Sequence, residues 1–323
     1  MFTQIKLFFS CFLKRDYLFF MKAVVLFSII ITIGAGYNAY CQSAQTGYAD
    51  AKRPVTEITG SIDWQTMQFN AEISLDLQSA GLRLPSGRMQ AESLLNENYL
   101  SLIRSPFLGL QVDSSSTLED LVNKRELSPT DIETLVLKAN SIAPSLSNDM
   151  RKITASRTLP LSNVTSFLLR HTRPSPIIRT LNLITTARYT GIIIIASDSL
   201  PVYSMKSSAL AVPCLFPKIW DTEMNLIYER NILEISNTSL VRYSSSQNIL
   251  QNTPSGLTPE LQAIVGDRPL RIFATGVFGV KPTDLIIDRS DALLIISSEE
   301  NRRLLSQGRV VFVLNDTVLQ SGF

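Results

Sequence analysis

Three aspartates stand close together in the stretch PTDLIIDRSDALL: Asp284, Asp288 and Asp291. Two carboxylates flanking a substrate are what glycoside hydrolysis requires, one as acid and one as base or nucleophile. The residues around them point elsewhere. Asp284 and Asp288 bracket a short apolar run of strand type, and Asp291 falls where a helix N-terminus welcomes negative charge. All three therefore read as structural. The single histidine, His171, stands in FLLRHTRPSP with no ligand partner nearby. A Ser-His-Asp arrangement would have to use it, and the chain holds no G-x-S-x-G stretch to supply the nucleophile. No second histidine exists to build a His-based metal site. Phosphate loops are absent too. TGVFGV is the nearest match to G-x-G-x-x-G, but it lacks the third glycine and leads into a strand-like segment. The sequence thus predicts no catalytic, cofactor-binding or metal-ligating residue.

The cysteines carry a different message. Cys11 and Cys41 lie in or beside an apolar leader, and only Cys214 remains beyond it. One thiol excludes an intrachain disulfide framework and a cysteine zinc site. Cys214 sits between Pro213 and Leu215 in an apolar run, which predicts a buried, inert thiol. In the leader, Met21 and Lys22 open a positive n-region, residues 23–33 are apolar apart from Ser28 and Thr32, and Ala39-Tyr40-Cys41 offers small residues for cleavage. Residues 21–41 are expected to be a signal peptide starting at Met21, with residues 1–20 outside the true start. The other reading of residues 1–20 is part of a double-hairpin anchor. The processing residues are Cys41 and Gln42. Cleavage before Gln42 gives a soluble exported chain, whereas an acylated Cys41 would give a lipid anchor. Tyr40 spoils a lipobox and favours the first.

Charge follows from the leader. The chain has 30 basic and 28 acidic residues, a net charge of +2. Lys6, Lys14, Arg15, Lys22 and Asp16 all precede Gln42, so the remainder has 26 and 27, about −1. No clustered basic face is left for phosphate capture, and nucleic acid is excluded as a partner.

The elements that would position these residues fall into two regions, 42–149 and 150–323. Residues 42–54 read as a polar tether. Met67, Phe69, Ala71, Ile73, Leu75 and Leu77 alternate with polar residues, the period of a half-buried strand, and Ile58, Ile62 and Trp64 suggest its hairpin partner. Ala91, Leu94, Leu95, Tyr99, Leu102 and Ile103 recur at helical spacing. Ser116 with Glu119 forms a capping-box pattern, and Ser128-Pro129 opens a helix whose apolar stripe runs from Ile132 to Ala143, ahead of Pro144. RKITASRTLPL is expected to be a strand and Ser162 to cap a short helix through Leu169. The four isoleucines of TGIIIIASD predict a central strand covered on both faces. NTSLVRYSSSQNILQNTPSGLTPE predicts a long loop. LRIFATGVFG, TDLIID and RVVFVLN read as strands, with Ser290 opening one helix, Ser297 with Glu300 capping another, and Gly308 ending it. The class is α+β: an N-terminal β-hairpin with helices, then a mixed sheet with short covering helices.

RYTGIIIIASD, PCLFPKIWDTEMNLIYERN and RPLRIFATGVFGVKPTDLIIDRSDALLI together resemble the C-terminal layout of the FlgP-like flagellar and outer-membrane envelope proteins. The matching positions are Tyr189, Thr190, Gly191, Pro217, Ile219, Asp221, Tyr228 and Asp284. The chain also looks like a conserved spirochaete envelope protein. The resemblance covers the C-terminal part only, and it departs from the family at the missing lipobox and at TEMN after Asp221, where the family often has a glycine. It implies a periplasmic assembly protein near the flagellar motor or outer membrane and no catalytic residues. The expected function is non-enzymatic protein–protein contact in the envelope, self-association included, as a flagellar-motor or outer-membrane scaffold. Membrane contact would come only through the leader or a lipid anchor. The alternative is a periplasmic binding module for a small ligand or cell-wall fragment, with YSSSQNILQNT and SMKSSALAVPC lining its site.

Overall fold

The structure is a computed structural model that describes residues 56–177, 180, 183–234, 239–249 and 256–323. The processing residues Cys41 and Gln42, the leader and the tether lie outside the described residues.

Strand β1 (Thr56–Asp63) and strand β2 (Gln68–Asp76) form the expected antiparallel hairpin in full register, from Thr56 opposite Leu75 to Asp63 opposite Gln68. Alternation decides its faces: Phe69, Ala71, Ile73 and Leu75 are buried, and the residues between them are not. Helix α1 (Arg88–Leu108) lays Ala91, Leu95, Tyr99, Ile103 and Phe107 against that face, one residue per turn. Phe107 meets Phe69 edge to face at 5.5 Å. Helix α2 (Leu118–Asn123) and helix α3 (Pro129–Leu137) follow, each closed by a reciprocal capping box. Strand β3 (Lys152–Pro160) pairs antiparallel with β2 over its whole length, so RKITASRTLPL completes the first sheet. Helix α4 (Leu161–Leu168) then ends this region.

The second sheet has seven strands of mixed direction. Strand β4 (Ile192–Ala196), the isoleucine run, lies in its interior, paired on both sides. The outer strands β5 (Ile219–Asp221), β6 (Leu226–Tyr228) and β7 (Arg242–Ser245) are short. Helix α5 (Pro259–Val265) leads into strand β8 (Leu270–Phe278), which lies parallel to β4, and strand β9 (Asp284–Ile287) turns back beside β8. Helices α6 (Arg289–Ile296) and α7 (Glu299–Ser306) cross over to strand β10 (Val310–Leu314), parallel to β4 on its other side. The order is β6-β5-β9-β8-β4-β10-β7. Both faces of the centre are covered, as an unbroken β-branched run requires. Ile193, Val311 and Val313 pack on Leu257, Leu261 and Val265 around α5. Ile192, Ile194, Val310 and Phe312 join the larger core with α6, α7 and the first sheet.

After helix α8 (Asp316–Leu319) the chain returns to the first sheet. Strand β11 (Gln320–Gly322) pairs antiparallel with Ser61, Ile62 and Asp63 of β1, and Phe323 stacks on Phe69 at 5.0 Å. Gly60 makes room for that ring, since a Cβ there would lie 2.3 Å from it. This return strand carries no apolar alternation and is not visible in the sequence.

Several local expectations are corrected. Thr117, not Ser116, caps α2, with Asp120 reciprocating. Ser298, not Ser297, caps α7. Ser162 lies inside α4, whose N-cap position is Pro160. Helix α3 ends at Leu137; Asn140 and Ser141 pair with β3, and Ile142 is exposed. The stretch read as a long loop contains strand β7, paired with β10 from Arg242 opposite Val311 to Ser245 opposite Leu314.

Candidate functional site

The three clustered aspartates do not converge on one site. Asp284 is fully buried at the start of β9 and accepts four hydrogen bonds: from the Lys218 amide (3.1 Å), Thr283 Oγ1 (3.2 Å), Ser114 Oγ (3.1 Å) and Trp220 Nε1 (3.2 Å). Burial pushes its carboxyl up from the ordinary value, against the pull of those donors. Asp288 is the N-cap of α6 and takes the Ser290 amide at 2.8 Å. Asp291 sits in the first turn of that helix, its carboxyl pushed up by burial and by the Asp288 charge. Asp284 is thus held inside the fold, while Asp288 and Asp291 belong to the start of α6.

A second buried carboxylate, Asp221, ends β5. It closes the turn by accepting the amides of Glu223 (3.0 Å) and Asn225 (2.7 Å), and it is ion-paired with Arg289. Burial pushes this carboxyl up, but the hydrogen bonds from Asn225 and Arg289 outweigh it and hold the value below the ordinary range.

Cys214 is wholly buried, and burial pushes its thiol far up. The Tyr243 hydroxyl grips its backbone, accepting from the amide at 3.0 Å and donating to the carbonyl at 2.7 Å. Tyr243 of YSSSQNILQNT and Cys214 of SMKSSALAVPC meet here, and both are buried. His171 Nε2 lies 2.8 Å from the Leu233 carbonyl, in a cleft of about 130 Å³ shared with Arg170, Arg230 and Glu126. Arg170 donates to the Glu126 carbonyl at 3.0 Å. Among the described residues no group of three His, Cys, Asp or Glu side chains is placed to hold a metal.

Sequence reasoning missed an aromatic row at one end of the second sheet. Tyr203 in the turn beside β8, Phe278 at the end of β8 and Trp220 on β5, beyond β9, meet with edge-to-face ring contacts of 5.9 and 5.8 Å. Lys218 Nζ stands 5.9 Å from the Trp220 ring centre, and the Asp284 carboxylate fixes the indole from below. These residues come from separate stretches of chain, so no local pattern announced them. Elsewhere on β8, Phe273 is 70% exposed in register with Ile195 of β4.

Two family models match the chain. Residues 55–167 match the N-terminal domain of Treponema pallidum Tp0624, and residues 191–316 match its second domain. The chain carries both Tp0624 domains, in that order. It thereby joins a family described from a spirochaete protein. A comparison with curated proteins found no match. The Tp0624 boundaries follow the fold: the first domain ends with α4, and the second begins at Gly191, just before β4. Within the second Tp0624 domain, and just ahead of it, the motif residues have packing reasons. Thr190 Oγ1 donates to the Val265 carbonyl at 2.7 Å. Gly191 lies so close to Val265 that a Cβ would sit 2.4 Å from its Cα. Tyr228 donates its hydroxyl proton to the Leu240 carbonyl at 2.9 Å.

Proposed function

We propose that the protein is a non-enzymatic, exported cell-envelope component that works by protein–protein contact, as a flagellar-motor or outer-membrane-associated scaffold. The leader beginning at Met21 supports export, and the FlgP-like motifs support the flagellar setting. The buried carboxylates support the non-enzymatic reading, because each is committed to holding a turn, a strand or an indole. The observation that carries the contact reading is Phe273. It stands 70% exposed on a sheet whose centre is otherwise covered, and a large apolar side chain in that position gains by meeting a partner.

Phe273→Glu tests it without touching the core. Light scattering at about tens of micromolar, the range of weak association, should show the wild-type chain associating and the variant less so. Crosslinked envelopes should lose, in the variant, a partner that the wild type retains. A wild-type chain that stays monomeric and whose crosslinks do not depend on Phe273 would refute the scaffold. Deleting residues after Leu270 is not a useful test, since it removes β8, β9 and β10 from the middle of the sheet.

The His171 cleft favours a second reading, a binding module for a small anionic ligand, because Arg170 and Arg230 share it and neither forms an ion pair among the described residues. A rise in melting temperature with a small dicarboxylate, lost in Arg230→Ala, would support that module over the scaffold.

A further inference from the structure

Two turns project from the end of the second sheet that carries the aromatic row. One spans residues 203–207 and is closed by hydrogen bonds from the Val202 amide to the Ser207 carbonyl (2.9 Å) and from the Met205 amide to the Val202 carbonyl (3.0 Å). The other spans residues 279–283 and is held by bonds from the Lys281 amide to the Ser114 carbonyl (3.1 Å) and from the Thr283 amide to the Lys281 carbonyl (2.8 Å). They are neighbours, because the Tyr203 amide donates to the Val277 carbonyl at 2.9 Å, one residue before Phe278. Each turn presents an exposed apolar side chain followed at once by an exposed lysine. Met205 is 62% exposed and precedes Lys206; Val280 is 88% exposed and precedes Lys281. Lys218 lies behind them at the start of β5, near Asp113 and the buried Asp284. Lys206, Lys218 and Lys281 form no ion pair among the described residues.

We infer that this end of the sheet docks on an anionic lipid surface, with Met205 and Val280 entering the acyl boundary and the lysines meeting the headgroup phosphates. Charge complementarity selects the occupant: two exposed cations, Lys206 and Lys281, stand directly beside the two apolar tips, the order of chemistry that a bilayer presents with depth. Tyr203 and Trp220 stand where amphipathic rings favour the membrane–water boundary. A protein partner fits less well. The tips rise from two separate turns, and the rings meet edge to face at 68° and 65°, so they make neither a groove nor a flat stacking platform. The binding is weak and reversible, each lysine contributing about five-fold to partitioning.

Tryptophan reads this contact apart from the leader, because the two tryptophans are Trp64, which is buried, and Trp220. The full chain is mixed with vesicles of equimolar phosphatidylglycerol and brominated phosphatidylcholine, and with brominated phosphatidylcholine alone. Quenching is expected in the anionic vesicles only. It should vanish in Trp220→Phe and at high salt, report partitioning about five-fold weaker in each of Lys206→Gln and Lys281→Gln, and be lost in Met205→Asp with Val280→Asp. All these positions except Trp220 are exposed, and an unchanged melting temperature verifies the fold. Absent quenching in anionic vesicles, equal quenching in both vesicle types, or quenching indifferent to the turn variants overturns the inference. So does a crosslinked protein partner lost in the turn variants while quenching persists.

Discussion

Asp221 and Asp284 are both fully buried, yet pH acts on them with opposite sign. Asp221 is held below the ordinary 3.8, so the stability it contributes is present above that pH and is lost as pH falls through the folded value. Asp284 is raised above 3.8, so its contribution is full below that pH and is lost as pH rises through the folded value. Urea midpoints measured from about pH 7 to about pH 3 separate the two. Relative to Asp221→Asn, the wild type should lose stability on acidification; relative to Asp284→Asn, it should gain. The reverse slope in either comparison would mean that the hydrogen bonds described here are not those that set the charge. Cys214 belongs to the same scale. Its thiol is buried and pushed up, so peptide mapping should find slow alkylation in native protein and fast alkylation in urea.

At the scale of elements, the expected helix caps fell within two residues of the observed ones and were settled by neighbours. Ser116 and Thr117 both suit an N-cap, each followed three residues on by an acid, Glu119 or Asp120. Ser116 is drawn inward: it pairs opposite Asp113, and its carbonyl accepts from Gln111 Nε2 at 3.1 Å. That leaves the cap to Thr117. Thr117→Ala should cost about 1 kcal/mol in urea unfolding. An equal loss in Ser116→Ala alone would contradict the assignment. The early end of α3 has a similar cause. Its apolar stripe continues past Leu137, but β3 has an open edge, and Asn140 and Ser141 pair with Thr158 and Arg157. Arg302 shows why charge on a helix is a poor guide to a free surface, since its guanidinium donates to the Ile296 carbonyl at the end of α6.

For the whole molecule, one core runs from Trp64 in the first Tp0624-type domain to Leu319 beyond the second. The Leu215 and Phe216 amides donate to the carbonyls of Gln111 (3.1 Å) and Val112 (2.8 Å), and Trp64 meets Tyr243 edge to face at 5.8 Å. Strand β11 closes the circuit on β1. The two domains should therefore unfold as one unit. Trp64→Phe leaves Trp220 as reporter of the second sheet, and Trp220→Phe leaves Trp64 for the first. Their urea transitions should coincide within error in midpoint and slope once each variant's own stability is measured by circular dichroism. A first-domain transition well separated from the second would show the shared core to be energetically minor.

The sequence by itself determined what repeats at a period. The β1–β2 hairpin, the buried stripe of α1, the central isoleucine strand and the class α+β all follow from alternation or helical spacing, because burial of one face acts residue by residue along a local element. It also determined that Cys214 would be buried, that Asp284 and Asp288 would bracket a short strand and that Asp291 would fall at a helix N-terminus. Tertiary structure decided everything that depends on meeting. It chose between adjacent capping residues, made a strand of Arg242–Ser245 inside a polar stretch, and placed Gln320–Gly322 on a sheet that begins more than two hundred residues earlier. It assembled Tyr203, Phe278 and Trp220 into one row over Asp284. Backbone pairing of polar edge strands and ring contacts between distant segments leave no periodic trace, since their partners are selected by the folded sheet and not by neighbours in the chain.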